Sequence, residues 1–329
     1  MGTFRTTIKK QLSHEKIGYH SSIMMAGSCF AEHIGSKLQQ NKFDIVLNPF
    51  GIVFHPFPLA ASIERMIQAK EYTTDELLHH HHLWTSFDHH GSFSHPDIAI
   101  SLKQINEALR QGHDQLKKST WILVTFGTAW AYRLKSNGKI VANCHKYPAS
   151  EFERIKTDAD EIYRTWASSM QQLQVFNPDA RIIFTVSPVR HLRDGAHENQ
   201  LSKATLLLSI EKLNRDFPHT GYFPAYEIMM DDLRDYRFYG EDMIHPNNTA
   251  IDYIWEYFCN TYMADHTLII MKEVDEIIKA AGHRFIHKTT ENIVFAEKNL
   301  EKIRQICRQN PGLDFSREIK QFEEIIHKA

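Results

Sequence analysis

The sequence predicts an α/β fold built around a parallel sheet whose two faces are both covered. Three observations carry this. Segments of strand and helix character alternate along most of the 329 residues, two of the strand candidates are continuous apolar runs, and four strand candidates end in small or polar residues. Parallel strands need a right-handed helical crossover, so such alternation places helices on both sides of the sheet. Continuous apolar character, without alternation, is what burial on both faces demands.

In chain order, residues 22–26 form an apolar run that stops at Gly27-Ser28, and 30–40 carry Ile34 and Leu38 at helical spacing. Strand, sharp turn and helix are expected there. Residues 43–47 read as a second strand, broken by Asn48-Pro49 and Gly51, and 59–70 as a helix. The stretch 83–96 mixes His, Ser, Asp and aromatics without a period, so an ordered loop with a short hairpin is expected. A helix over 105–118 leads to the apolar run 121–126, closed by Gly127 and placed at the sheet centre. Residues 131–134 and 139–142 flank Ser136-Asn137-Gly138, a hairpin signal. There follow a long helix over 152–176, a buried strand over 181–186, a helix over 198–217, a last strand over 223–230 and a helix over 249–262. From 268 onward the chain is a charged tail with helical periodicity. The organisation expected is one domain over 1–263 with a helical extension over 264–329 packed on it.

Composition narrows the function classes. A formal net charge of −2 and a pI near 6.9 argue against nucleic acid or an anionic membrane as partner, since either calls for a basic stripe. No apolar run approaches the ~20 residues of a membrane-spanning helix. The first residues are polar and basic without an apolar core, and a cytoplasmic location is expected. Cys29, Cys144, Cys259 and Cys307 are scattered, as free thiols are. Four consecutive histidines, 79–82, stand near His89 and His90. Consecutive imidazoles diverge, so a solvated helix end is expected there and no metal site. Asp88-His89-His90 beside Trp84 and Phe87 either lines a substrate cleft or packs a loop.

Ligands of parallel sheets collect beyond the carboxyl ends of the strands, which singles out Gly27-Ser28, Asn48 to Gly51, Gly127-Thr128 and Ser187 to His191. A serine at a strand-to-helix turn is either a nucleophile awaiting a base or the cap of its helix. Asp242 and His245 stand three apart before Pro246-Asn247. A turn there sets the carboxylate against one imidazole nitrogen and leaves the other to receive a serine proton, which is the logic of a triad. A helix-start aspartate beside a surface histidine is the plainer reading. Combined with Ser28, the pair predicts His245 within hydrogen-bond distance of the Ser28 hydroxyl. Arg190 and His191 suit an anionic part of a substrate, and Arg190 equally suits an ion pair with an acidic loop residue.

Gly27-Ser28-Cys29-Phe30-Ala31 resembles the signature of the GSCFA family, part of the SGNH hydrolase-like superfamily. The likeness continues through Asn48-Pro49-Phe50-Gly51, Phe126-Gly127-Thr128-Ala129, Asn143-Cys144-His145-Lys146, Ser187-Pro188-Val189-Arg190-His191 and the Asp242 to His245 block. It implies a three-layer, flavodoxin-like fold with Ser28 as nucleophile and Asp242 and His245 as its partners. The implied activity is a serine hydrolase that cleaves a small acyl ester, such as an O-acyl group on a carbohydrate, with neither metal nor organic cofactor. Acyl transfer by the same acyl-enzyme and a catalytically silent binding protein are the alternatives. Superfamily members build the oxyanion hole from the nucleophile's N–H, a glycine N–H after the second strand and an asparagine after the third. Ser28 and Gly51 fit the first two places. Thr128-Ala129 stands where Gly-x-Asn-Asp is expected, so Asn143, returned by the hairpin, is preferred as third donor over Thr128. Asn48 and His89 join Arg190 and His191 as substrate-binding candidates.

Overall fold

Strand and helix alternate as expected in the computed structural model, which describes residues 6–9, 13–283, 285 and 289–327. Parts of the polar N-terminal segment (1–5 and 10–12) and of the helical tail (284, 286–288, 328–329) lie outside the described residues. The chain begins with β1 (Ser22–Gly27), α1 (Cys29–Gln40), β2 (Asp44–Leu47) and α2 (Pro56–Gln68). A small hairpin of β3 (Leu78–His80) and β4 (Leu83–Thr85) precedes α3 (Ile98–Lys118) and β5 (Trp121–Phe126). An antiparallel insert follows, made of β6 (Trp130–Leu134), β7 (Ile140–Val141) and β8 (Phe152–Lys156). The core then resumes with α4 (Ala159–Phe176), β9 (Arg181–Val186), α5 (Ala196–Asp216) and β10 (Thr220–Phe223). After it come the short α6 (Ala225–Glu227), α7 (Asn248–Tyr262), α8 (Asp265–Ala281), α9 (Thr290–Gln309) and α10 (Ser316–His327).

The main sheet has the order β10-β9-β5-β1-β2, and every pairing in it is parallel. Counted as its own five strands this is 2-1-3-4-5, the flavodoxin-like doubly wound order, with β5 in the middle. The apolar runs serve both faces at once. Met24, Ile122, Val124, Ile182 and Phe184 face one core with Leu59, Ile63, Leu109, Trp166 and Leu206 of α2 to α5. Their neighbours Ile23, Met25, Leu123 and Ile183 face a second core with Phe30, Ile34, Ile251 and Phe258 of α1 and α7. Three layers result. Trp166 anchors the first core, its ring edge-on to Phe126 and Phe184 and its N–H donating to the Pro56 carbonyl at 2.9 Å.

Three segments differ from the sequence expectation. Residues 152–156 are a strand instead of a helix start, because they pair with all five residues of β6; α4 begins only where Asp158 and Glu161 form a reciprocal cap. The last strand stops at Phe223, since Pro224 has no N–H to extend the ladder. Residues 225–233 wind as α6 and a π-helical turn that buries Ala225, Ile228, Met229 and Leu233. Short apolar runs do not separate strand from helix. Finally, the histidine run is no helix end. His81 and His82, at φ 48° and 63°, are the two central residues of the β3–β4 turn, the backbone a type I′ hairpin requires.

Helices α8 to α10 carry a core of their own, centred on Val274, Ile277, Ile303, Phe315 and Phe322. Tyr19 stacks on Phe43 at 4.6 Å and packs against this bundle, and Lys42 donates to both carboxylate oxygens of the buried Glu318. No described helix is long and apolar enough to cross a membrane.

Candidate active site

The carboxyl end of β1 is drawn tightly against β5. A Cβ at Gly27 would lie 2.6 Å from the Thr125 carbonyl oxygen, so only glycine lets the two strands meet here. Ser28 follows in extended backbone, is buried, and accepts the Phe30 N–H on its hydroxyl at 3.3 Å. It is the N-cap of α1. Asn48, in left-handed backbone at φ 48°, locks this elbow from the side. Its carboxamide oxygen accepts the Gly27 N–H at 2.9 Å, and its NH₂ donates to Glu32 of α1 at 2.7 Å. Asn48 is buried and both ends of its side chain hold the elbow, which turns its expected role in substrate binding into a structural one. It is a positioning residue. Gly51 is corrected likewise, because its N–H donates to the Asn48 carbonyl at 2.7 Å and closes the turn. The turn is fixed by sterics, since Gly51 has φ 73° and a Cβ there would lie 2.3 Å from the Cβ of His90.

Asp242 and His245 lie in the loop before α7, pinned by the Tyr239–Pro246 bridge and by the Gly240 N–H donating to the His245 carbonyl at 2.8 Å. One Asp242 oxygen accepts the N–H groups of Ile244 and His245 at 2.9 and 3.0 Å, and the other meets Nδ1 of His245 at 2.6 Å. The backbone N–H groups of His245 and Ile244, then the imidazole, hold the Asp242 carboxyl down at about 2. An ionised Asp242 on Nδ1 fixes the ring, and Nε2 has no partner among the described residues. The Arg190 N–H reaches the Ile244 carbonyl at 3.4 Å and ties this loop to the one after β9. His33 on α1 and His191 after β9 are both held below their ordinary values, by burial first and in part by the nearby His245. His245 is thus near His33 of α1 and His191 after β9.

The expected Ser28–His245 hydrogen bond is not formed. The hydroxyl caps α1 instead, and the half-exposed imidazole is held by Asp242.

A family model described as the GSCFA family matches residues 22–258, and one described as the GSCFA domain protein, C-terminal domain, matches 274–328. The chain belongs to the GSCFA family. No curated protein matches it.

Within the GSCFA region the other candidates divide sharply. Thr128 is buried and its hydroxyl is paired with Ser202 of α5 at 2.9 Å while accepting the Trp130 N–H, which corrects its expectation as an oxyanion donor. The Asn143 carboxamide oxygen accepts the His145 N–H at 2.8 Å, and its NH₂ makes no hydrogen bond among the described residues. His89 is corrected from the substrate cleft to the core. It is 1% exposed, stacks on Phe50 at 4.6 Å, and is kept neutral by burial, which lowers it to about 3. His191 is half-buried beside Phe54, and burial, then Lys203 and His245, lower it to about 4. Arg190 forms no ion pair among the described residues, so its reading as a partner of an acidic loop residue gives way. Cys29 and Cys144 are both raised above the ordinary thiol value by burial, opposite to what an activated thiol needs. Among the described residues no group of three His, Cys, Asp or Glu is placed to hold a metal ion.

Sequence reasoning missed Lys203. It is 1% exposed on α5, and its ammonium donates to the carbonyls of Gly127 and Ser187 at 2.6 and 2.7 Å, joining the carboxyl ends of β5 and β9. Burial lowers it to about 7. A signal existed, because Lys203 shares the helical face of Leu206, Ile210 and Leu213 and so falls on a core position.

Proposed function

We propose that this GSCFA protein is an SGNH-type serine hydrolase that cleaves a small acyl ester, with Ser28 as nucleophile, His245 as base and Asp242 as the group that orients it. The observation that carries the reading is the Asp242–His245 pair. A 2.6 Å contact at Nδ1, on a carboxylate fixed by two backbone N–H groups, leaves Nε2 without a partner among the described residues, and His245 acts on His33 of α1, the helix that Ser28 caps. When substrate enters, the Ser28 hydroxyl leaves the Phe30 N–H, gives its proton to Nε2 and adds to the ester carbonyl. His245 returns that proton to the leaving alcohol as the ester C–O bond breaks, and water, giving its proton to His245, then adds to the acyl-serine and releases the acid with Ser28 reprotonated. Apo geometry looser than the reacting geometry is the norm for such groups. The developing oxyanion would meet the N–H groups of the first turn of α1 and the NH₂ of Asn143.

One observation favours a second reading. The Gly51 N–H and the Thr128 hydroxyl, two expected oxyanion donors, are spent inside the protein, as in a silent binding protein on the same fold. A fluorophosphonate probe separates the two. Labelling at Ser28 that is lost in His245→Ala supports the hydrolase, whereas a folded protein that never labels is a binder.

A further inference from the structure

Arg190 is a cation near the candidate triad that makes no ion pair among the described residues. Its backbone N–H reaches the carbonyl of Ile244, the residue before His245, and its guanidinium lies near Tyr226 and Tyr239, whose hydroxyls are raised by burial and drawn partly back by this charge. Its Nε is buried and lacks a hydrogen-bond partner among the described residues. A buried donor left unmade costs free energy that an incoming acceptor would recover. The neighbours are already spoken for. Arg154 pairs with Asp194, the Lys203 ammonium is committed to two carbonyls, and His191 is neutral at pH 7. Arg193 donates to the Tyr132 hydroxyl, so among these cations Arg190 is the one that has neither an ion pair nor a partner for its buried Nε among the described residues. That matches a single negative charge, and a guanidinium presents the planar fork that suits a carboxylate. The Tyr239 hydroxyl, whose acceptor among the described residues is the Met230 sulfur at 3.9 Å, supplies a further donor.

We infer that Arg190, with Tyr239, receives a carboxylate carried by the substrate, so that the ester belongs to an acidic molecule such as a uronic acid. The word substrate rests on the hydrolase reading, and the anion site does not. The test is an NMR titration of the full chain with glucuronate, its methyl ester and glucose 6-phosphate. A charge-assisted pair at this site predicts that glucuronate binds about tenfold or more tighter than the methyl ester, and tighter than the phosphate. Arg190→Gln should erase the preference for the carboxylate. Arg190→Lys, which keeps the charge and loses the fork, should weaken it, and this holds the test open if the glutamine variant does not fold. Equal binding of acid and methyl ester, a preference untouched in either variant, or a stronger hold on the phosphate would overturn the assignment. Fluorophosphonate labelling of Ser28 reports on the other question. A labelled protein without carboxylate preference removes only the Arg190 site, and a carboxylate-selective protein that never labels removes only the hydrolase.

Discussion

Two buried histidines should make this protein acid-labile well above the carboxylate range. His55 caps α2 through its Nδ1, with Nε2 3.3 Å from Thr157, and His89 lies between Phe50 and Tyr72. They are 3% and 1% exposed, and burial lowers both from 6.5 to about 3. In the unfolded chain each takes a proton near pH 6.5, and in the fold neither does until about pH 3, so stability is full above the first value and falls toward the second. At about pH 4.5 each group has withdrawn roughly 2–3 kcal/mol, close to 5 kcal/mol for the pair. Domains of ordinary stability hold only about 5–15 kcal/mol in total. Urea unfolding followed by circular dichroism at pH 7 and 4.5 measures the difference. His55→Asn keeps a capping side chain and His89→Phe keeps the ring stack, and the double variant should lose the larger part of the pH dependence, while His191, lowered to about 4, keeps a share of it. If it loses as much stability between the two pH values as the parent does, the burial argument fails.

Asn48→Ala leaves the Gly27 N–H unpaired and puts alanine in left-handed backbone, for a loss of about 2–4 kcal/mol in thermal or urea unfolding. Asn48→Gly should recover the conformational part only, and a loss equal in both would deny the strain at φ 48°. Ser28→Ala should abolish fluorophosphonate labelling and cost about 1 kcal/mol as a lost cap, while Cys29→Ala should leave labelling nearly intact. The reverse pattern would make this a thiol enzyme. Asn143→Ala should lower ester turnover by about 10²–10³ with little change in KM, whereas Thr128→Val, whose hydroxyl is held by Ser202, should act through stability alone. Steady-state kinetics beside a melting curve distinguishes them.

The parts of the fold legible in the sequence are those set by local pattern. β5 and β9 read as buried strands because both of their faces meet helices, and Asn137-Gly138 marks the hairpin because Gly138, at φ 74°, takes the turn. β8 was illegible, because Phe152 to Lys156 become a strand only by pairing with β6, some twenty residues earlier. The β3–β4 turn was illegible for another reason: His81 and His82 do the work that glycine or asparagine usually does. At the site, the motif blocks locate Ser28, Asp242 and His245 by residue type. They say nothing about which hydrogen bonds are already taken, which is what removes Gly51, Thr128 and Asn48 from the expected roles, or about burial and stacking, which remove His89.

The three residues of the candidate triad are not equally bound to the architecture. Ser28 caps a helix and Asp242 fastens two backbone N–H groups of its loop, so folding alone gives reason to keep both. The imidazole of His245 is half-exposed, and its one hydrogen bond among the described residues is to Asp242. A lineage released from chemistry would thus shed the histidine first and carry the serine and aspartate onward as relics of stability. On the hydrolase reading, position 245 is where inheritance of an activity can be told apart from inheritance of a shape among relatives of this chain.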